Sequence, residues 1–453
     1  MHMSEGSVRR RVVRLVWCLT MSILCAYRAH ASAPMSVRYV DARHPAARDD
    51  NPGSEARPWK TIQKAANTLA PGQAVYVKAG TYAPFTINVH GTPGEYVTFS
   101  AAPGDEHKVV IDGTDDTSAN RQCIYAKGKS YIRINGFRCY NALNSGIWVE
   151  GSDAGTVGIR ITNNQVYKTG NAGIMCAGLI MGRTTQQEDR LQDVIIEHND
   201  ISRTNEPRGG NECISVGGGV DGVIVRHNYV HDSEQYGIDF KFGVQDGAIY
   251  DNHIHTMEKH GIYLDTASRY VKNVVVYDNT IYDCTNGIVM ARESGGTSKT
   301  LQFVAIYNNL VYDNRKFGVM AYRHKRDDNR TGVFADVQIF NNTIFRNGRD
   351  GVRLHGVEGV AKRFVVANNI IYQNKPDVVN KVGAAMLSNL MGKDPLFVST
   401  GKKPDLHLRA NSPAVDAAGT EHVPLRDADG VRRPQGRRAD CGAYEVMAGG
   451  GGR

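Results

Sequence analysis

From about residue 130 onwards, one short unit recurs along this chain. It reads IRINGFRCY…GIWVEG, then IRITNNQVYKTGNAGIMCAG, VIIEHNDIS…NECISVGGG, VIVRHNYVHDSEQYGIDFKF and AIYDNHIHTMEKHGIYLD. It continues as VVVYDNTIYDCTNGIVMARE, VAIYNNLVYDNRKFGVMAY and VQIFNNTIFRNGRDGVRLHG, and FVVANNIIYQN is the last clear copy. Two columns run through these copies. Asparagine holds one: Asn135, Asn164, Asn199, Asn228, Asn252, Asn279, Asn309, Asn342 and Asn369, with successive members 24 to 35 residues apart. Glycine before an aliphatic holds the other: Gly146, Gly173, Gly237, Gly261, Gly287, Gly318 and Gly351, with Cys213 in its place once.

A period of this length, made only of short alternating runs, means a solenoid. Alternation at period two turns one aliphatic set inward and the other outward. Stacked coils then form parallel sheets whose backbone hydrogen bonds run along the axis. No regular helical pattern recurs between units, which argues against leucine-rich or βαβ repeats. The asparagine column falls at the turn after the V-x-I-type strand. An amide side chain there can bond the asparagine of the next coil and tolerates a left-handed backbone.

The chain has 453 residues, of which 22% are charged, so the composition is not that of a disordered chain. The formal charge of +8 is mild and lies partly in the first segment; it suits an acidic polymer as ligand without establishing one. Residues 1–33 read as a secretory signal: Arg9, Arg10, Arg11 and Arg14 are the basic region and VWCLTMSILCAY the apolar one, too short to span a bilayer. Small residues at 29–33 place the cleavage near 31–33. The expectation is a secreted or periplasmic protein, monomeric, with neither a membrane nor a nucleic acid as partner. Cys18 and Cys25 leave with the signal. Cys123, Cys139, Cys176, Cys213, Cys284 and Cys441 remain, an even count that permits disulfides, with buried free thiols as the alternative. No pair has the spacing of zinc ligands.

The repeats, the opening YVDARHPAARDDNPGSEARPWKTIQKAANTLAPGQAVYVKAGTYAPFTI, the run VTFSAAPGDEHKVVIDG and the tail DPLFV…DADGVRRPQGRRADCGAYEV resemble the pectate-lyase-like superfamily of secreted parallel β-helix proteins. The resemblance implies an all-β fold, a right-handed single-stranded parallel β-helix over residues 34–390. It also implies an amphipathic helix near 58–70 (Trp59, Ile62, Ala65, Ala66, Leu69) capping the N-terminal end of the core. Residues 391–453 would be an irregular segment packing on the end of the solenoid. Members of the superfamily include lyases, glycoside hydrolases, epimerases, esterases and non-catalytic adhesins, so the resemblance does not select a reaction.

Candidate site residues follow from aligning the coils on Ile147, Ile174, Ile214, Ile238, Ile262, Ile288, Val319 and Val352. The next residue faces out: Trp148, Met175, Ser215, Asp239, Tyr263, Val289, Met320, Arg353. Two further on lie Glu150, Ala177, Gly217, Lys241, Asp265, Ala291, Tyr322 and His355, and the turns beyond bring Arg292, Glu293, Arg323 and His324. Lys241 and Asp265 share a column on adjacent coils, roughly 5 Å apart at the backbone, and Asp239 lies roughly 8 Å from Asp265 on the diagonal. This selects Asp239, Lys241, Asp265 and Glu293 as catalytic candidates. Tyr263, Arg292, Tyr322, Arg323, His260 and Trp148 are candidates for substrate contact, and Asn211 and Glu212 lie at the near edge. The small residues of the two preceding coils are expected to leave an open groove floor. All these side chains are expected to face solvent, so that their loss removes rate and not stability. Plainer readings stand beside these: Lys241–Asp265 as a cross-strand ion pair, His260 as a solvated turn residue, and Arg323, His324, Lys325 and Arg326 as a solvated loop.

Three functions remain open on these residues. The first expectation is a polysaccharide lyase that cleaves a uronic-acid polymer by β-elimination, which needs carboxylate neutralisation, a base and a proton donor. The resemblance implies Lys241 as base and Ca2+ on Asp239 and Asp265, hard oxygen ligands that suit it. Flanking carboxylates favour a charged lysine, so the ion would have to offset them. The alternative is an inverting glycoside hydrolase, for which the Asp239–Asp265 diagonal lies in range. The third is a non-catalytic polysaccharide-binding surface protein.

Overall fold

The computed structural model describes residues 36–114, 121–178, 191–206, 210–267, 269–293, 299–324 and 332–447. The signal sequence read at 1–33, and Lys325 and Arg326, lie outside the described residues. Strands dominate from Ser36–Val40 to Leu390–Met391 and sort into three parallel sheets of 13, 12 and 11 strands, wound as a right-handed β-helix. Each coil gives one strand to each sheet: Val244–Tyr250, His253–Met257 and His260–Asp265 belong to the 13-, 12- and 11-stranded sheets in turn. No helix among the described residues is long and apolar enough to cross a membrane.

The aliphatic column is in register as read. Ile147, Ile174, Ile214, Ile238, Ile262, Ile288, Val319 and Val352 pair strand to strand in the 11-stranded sheet, each 0% exposed. The glycine column that precedes it is steric in origin. A Cβ on Gly261 would stand 2.4 Å from Ile281 Cγ2 and 3.1 Å from the Gly287 carbonyl oxygen, too close for any side chain.

The asparagines form a buried ladder from Asn164 to Asn389. From Asn199 onward, each Oδ1 accepts the backbone N–H and the side-chain amide of the asparagine one coil earlier, as Asn279 does from Asn252 at 3.1 and 3.0 Å. Asn135 is not a member. It pairs with Thr162 in the sheet, so Phe137 occupies the ladder position on that coil and its N–H donates to Asn164 Oδ1. Asn279→Ala leaves the Asn252 backbone N–H without an acceptor in a dry interior, while the Asn252 side-chain amide keeps the Val225 and Tyr250 carbonyls. An expected cost of about 1–3 kcal/mol for the orphaned donor is checked by the drop in melting temperature.

The capping helix is shorter than the 58–70 expected and spans Ile62–Thr68. Thr61 caps it by accepting the Lys64 N–H, and Ile62, Ala65 and Ala66 face the core. Trp59 precedes the helix, bridged to Val40, with its indole N–H on the Asn51 carbonyl at 2.7 Å. Pro71 disfavours helix at Ala70 and closes the other end. All six cysteines among the described residues are buried free thiols.

Beyond the last coil, Phe397–Ser399 and Asp405–Leu408 form a small antiparallel pair. The tail lies along the flank of the last coils, where Asn308, Asn341 and Asn368 donate their side-chain amides to its carbonyls. Phe397, Leu406 and Leu408 pack there with Phe345 and Ile370.

Candidate active site

The outward face of the 11-stranded sheet brings the predicted acid, base and aromatic together on consecutive coils. Asp239 pairs with Tyr263 and Lys241 with Asp265, while Gly217 and Ala291 flank that second column. Outward does not mean exposed here. Asp239 is 1% exposed, Tyr263 3%, Lys241 5% and Asp265 7%, and Ala177 (4%) and Ser215 (1%) are covered as well. The expectations of free solvent around the site and of an open floor beside it are therefore corrected. Large side chains on strands about 4.8 Å apart shield one another, and Tyr236, Glu212 and Tyr322 crowd the same face.

Lys241 does not pair with Asp265. Its Nζ lies 2.6 Å from Glu212 Oε2, 3.4 Å from Asp239 Oδ2 and 3.1 Å from Asn211 Oδ1. Asn211 is itself held by donating to Asn171 Oδ1 at 2.8 Å. On the other side, the Tyr322 hydroxyl donates to Glu293 Oε1 at 2.6 Å, the Tyr263 hydroxyl donates to the same oxygen, and the two hydroxyls are 3.1 Å apart. The Tyr236 ring stacks on Tyr263 with centroids 4.7 Å apart, and His260 sits against both rings. His260 Nδ1 accepts the Asn286 amide at 2.9 Å, and burial pushes the imidazole down to about 3, so His260 is neutral in ordinary solution.

Electrostatics follow from this burial. Desolvation, and then the Glu293 charge, push Asp265 up to about 7, against the pull of Lys241. Desolvation and Glu212 raise Asp239, again opposed by the ammonium of Lys241. Burial works to lower Lys241, but Glu212 and Asp239 outweigh it and hold the amine above its ordinary value. Asp239 Oδ1 and Asp265 Oδ1 are buried and accept no hydrogen bond. Buried carboxylate oxygens are rarely left so, which marks this pair as facing something other than the protein's own donors.

Two predictions arise from these groups. Asp265 takes up its proton more readily in the fold than in the open chain, where it titrates near 3.8. Its contribution to stability is therefore complete below about pH 4 and lost as pH rises to about 7. The fall in melting temperature between those pH values is expected to be smaller in Asp265→Asn than in the wild type. Lys241→Ala removes the cation shared by two buried carboxylates, and about 3–5 kcal/mol of destabilisation is expected; chemical denaturation measures it.

Trp148 lies three coils before Asp239 in the register, packed on Tyr125, Met175 and Ala177, and stands apart from this cluster. Arg292 is corrected outright. It is 0% exposed, because two steps beyond Met290 along the strand turn it to the inner side, and its Nη1 donates to the Lys299 carbonyl. Arg323, its partner on the next coil, is exposed. The sequence reading gave no part to Tyr236 and left Glu212 at the margin. Both stand two residues before the aliphatic column, in the slot that His260 fills on its own coil, and that shared slot was the available signal.

Ca2+ takes six to eight oxygens at about 2.3–2.6 Å. Among the described residues no three His, Cys, Asp or Glu side chains gather about one point, and Glu212 is committed to Lys241. Asp239 and Asp265 alone do not make such a site.

The family described as "Pel9A-like, right handed beta helix region" matches residues 39–193, and "Right handed beta helix region" matches residues 183–331. Over residues 39–331 the chain is thus a right-handed β-helix of the pectate-lyase-like kind. The chain is 26% identical over 362 residues to the uncharacterized protein YwoF of Bacillus subtilis (strain 168), covering 73% of each chain. It superposes on the pectate lyase Pel9A with a TM-score of 0.57 at 14% identity, covering 92% of this chain and 97% of that one. On the polygalacturonase of Erwinia carotovora ssp. carotovora the TM-score is 0.54 at 12% identity, covering 81% and 100%. The Pel9A-like match ends before Glu212, and the match that spans the cluster names only the fold.

Proposed function

We propose that the protein is an exported carbohydrate-active enzyme that hydrolyses glycosidic bonds of a polysaccharide with inversion. One observation carries the reading. Two buried carboxyl groups, one coil and two residues apart, each present an oxygen with no hydrogen-bond partner, and burial raises both, Asp265 to about 7. Near neutral pH such a pair holds a proton on one member and charge on the other. The backbone spacing of roughly 8 Å falls in the range of carboxyl separations that leave room for a water on the face of the sugar opposite the leaving group. One aspartate takes a proton from that water as its oxygen bonds to the anomeric carbon. The other gives its proton to the glycosidic oxygen as the old bond breaks. The named activities of Pel9A and the Erwinia polygalacturonase support a polysaccharide substrate, and the mild basic excess that remains once residues 1–33 leave suits an acidic one.

Elimination is the second reading, favoured by the Pel9A-like match over residues 39–193. It asks Lys241 to act as a base while two carboxylates hold its proton. A panel of acidic and neutral polysaccharides, with and without chelator, separates the readings. Hydrolysis releases reducing ends, with the inverted anomer seen first by NMR and no response to chelator. Elimination produces the ultraviolet absorbance of an unsaturated uronide and overturns the hydrolytic reading. Binding without either product leaves a non-catalytic surface protein.

A further inference from the structure

We infer that Glu212 is a positioning residue that gives the two aspartates opposite roles: it draws the Lys241 ammonium back across the preceding coil, leaving Asp239 as the base and Asp265 as the acid. The inference rests on the hydrolytic reading above. Lys241 has two ways to turn. Asp265 is its strand neighbour one coil ahead, and Gly217 its neighbour one coil behind. The side chain takes the backward path. A Cβ on Gly217 would stand 2.9 Å from Lys241 Cγ, so the lysine stem lies over a position where only glycine fits. At the end of that path Nζ meets Glu212 Oε2 at 2.6 Å, and Asn211 Oδ1 completes the seat at 3.1 Å.

The consequence is asymmetry between the aspartates. Asp239 Oδ2 lies 3.4 Å from the ammonium, a contact that Asp265 lacks and that works against the rise burial and Glu212 impose on Asp239. No oxygen of Asp265 comes within 4.0 Å of Lys241 Nζ, and Asp265 is faced instead by Glu293, with Glu212 and Asp239 adding charge of the same sign. The remaining titratable neighbours are the Tyr263, Tyr322 and Tyr236 phenols, which burial keeps protonated, and the neutral His260. Removing the Glu212 charge frees the ammonium to share itself with Asp265 and removes one of the charges that hold the Asp265 proton.

Two measurements test this on the full chain. In kcat/KM against pH, the basic limb reports loss of the acid's proton. It is expected to move down by about one pH unit in Glu212→Gln and to return in Glu212→Asp. A basic limb that stays in place or moves up in Glu212→Gln overturns the inference. The second measurement needs no turnover. Wild type and Asp265→Asn differ in how far melting falls between pH 4 and 7, and this difference is expected to shrink in the Glu212→Gln background. An unchanged difference overturns the inference, whatever the substrate screen finds. Should Glu212→Gln fail to fold, Asn211→Ala, which removes the other acceptor that seats the Lys241 ammonium, serves in both measurements. Absence of any polysaccharide turnover removes the hydrolytic reading alone, and the melting comparison still decides the part played by Glu212.

Discussion

Asp239→Asn and Asp265→Asn are each expected to lower turnover by about 10²–10⁴-fold, the usual worth of a positioned acid or base, on whichever polymer the screen identifies. Asparagine keeps the shape of the side chain and removes its proton chemistry. One oxygen of each, Asp239 Oδ1 and Asp265 Oδ1, accepts no hydrogen bond, and asparagine keeps an oxygen for the Lys241 contact that Asp239 Oδ2 makes. Asp265→Asn is expected to melt at or above the wild-type temperature at pH 7, because it removes a carboxyl that burial makes costly to ionise. Loss of rate with stability kept is the signature that separates this pair from Lys241, whose removal costs both. If the two variants turn over at near wild-type rates, the chemistry lies elsewhere on the solenoid.

Ile262→Asp is expected to abolish folding. Ile262 is 0% exposed and pairs with Ile238 on one side and Ile288 on the other. Nothing polar in that column can meet a carboxyl group. Burial of an unpaired charge costs more than the roughly 5–15 kcal/mol that holds a whole domain folded, and the neutral acid would still lack partners. Ile262→Val, which removes one methyl group from the same place, is expected to cost only about 0.5–1.5 kcal/mol. Soluble expression and a melting curve for the two variants provide the check. A well-folded Ile262→Asp protein would mean that the register is displaced by one residue, turning the column outward.

Much of the architecture was legible without coordinates because it is local and repeated. Period-two alternation fixes which side of a strand each residue takes. Stacking of equal coils then carries that assignment to the next strand, so the column from Ile147 to Val352 emerged in register. Where the repeat weakens, the same logic slips. Asn135 looks like a ladder member, yet its place is set by pairing with Thr162, which puts Phe137 in the ladder position. Arg292 shows the same limit at a strand end, where the strand runs on past the length assumed and the alternation continues to the inner side.

The sequence by itself determined the solenoid, its glycine and asparagine columns, and the meeting of Asp239, Lys241, Asp265 and Tyr263 on adjacent coils, since each of these follows from backbone position alone. Tertiary structure decided what long side chains do from those positions. Lys241 reaches back over Gly217 to Glu212 instead of forward to Asp265, and Glu293 is held by tyrosines from two different coils. It also decided that the outward face is covered, and with that the charge each carboxyl carries. Alternation says only that a residue points away from the core; the reach of flexible side chains and the burial around them are properties of the assembled surface.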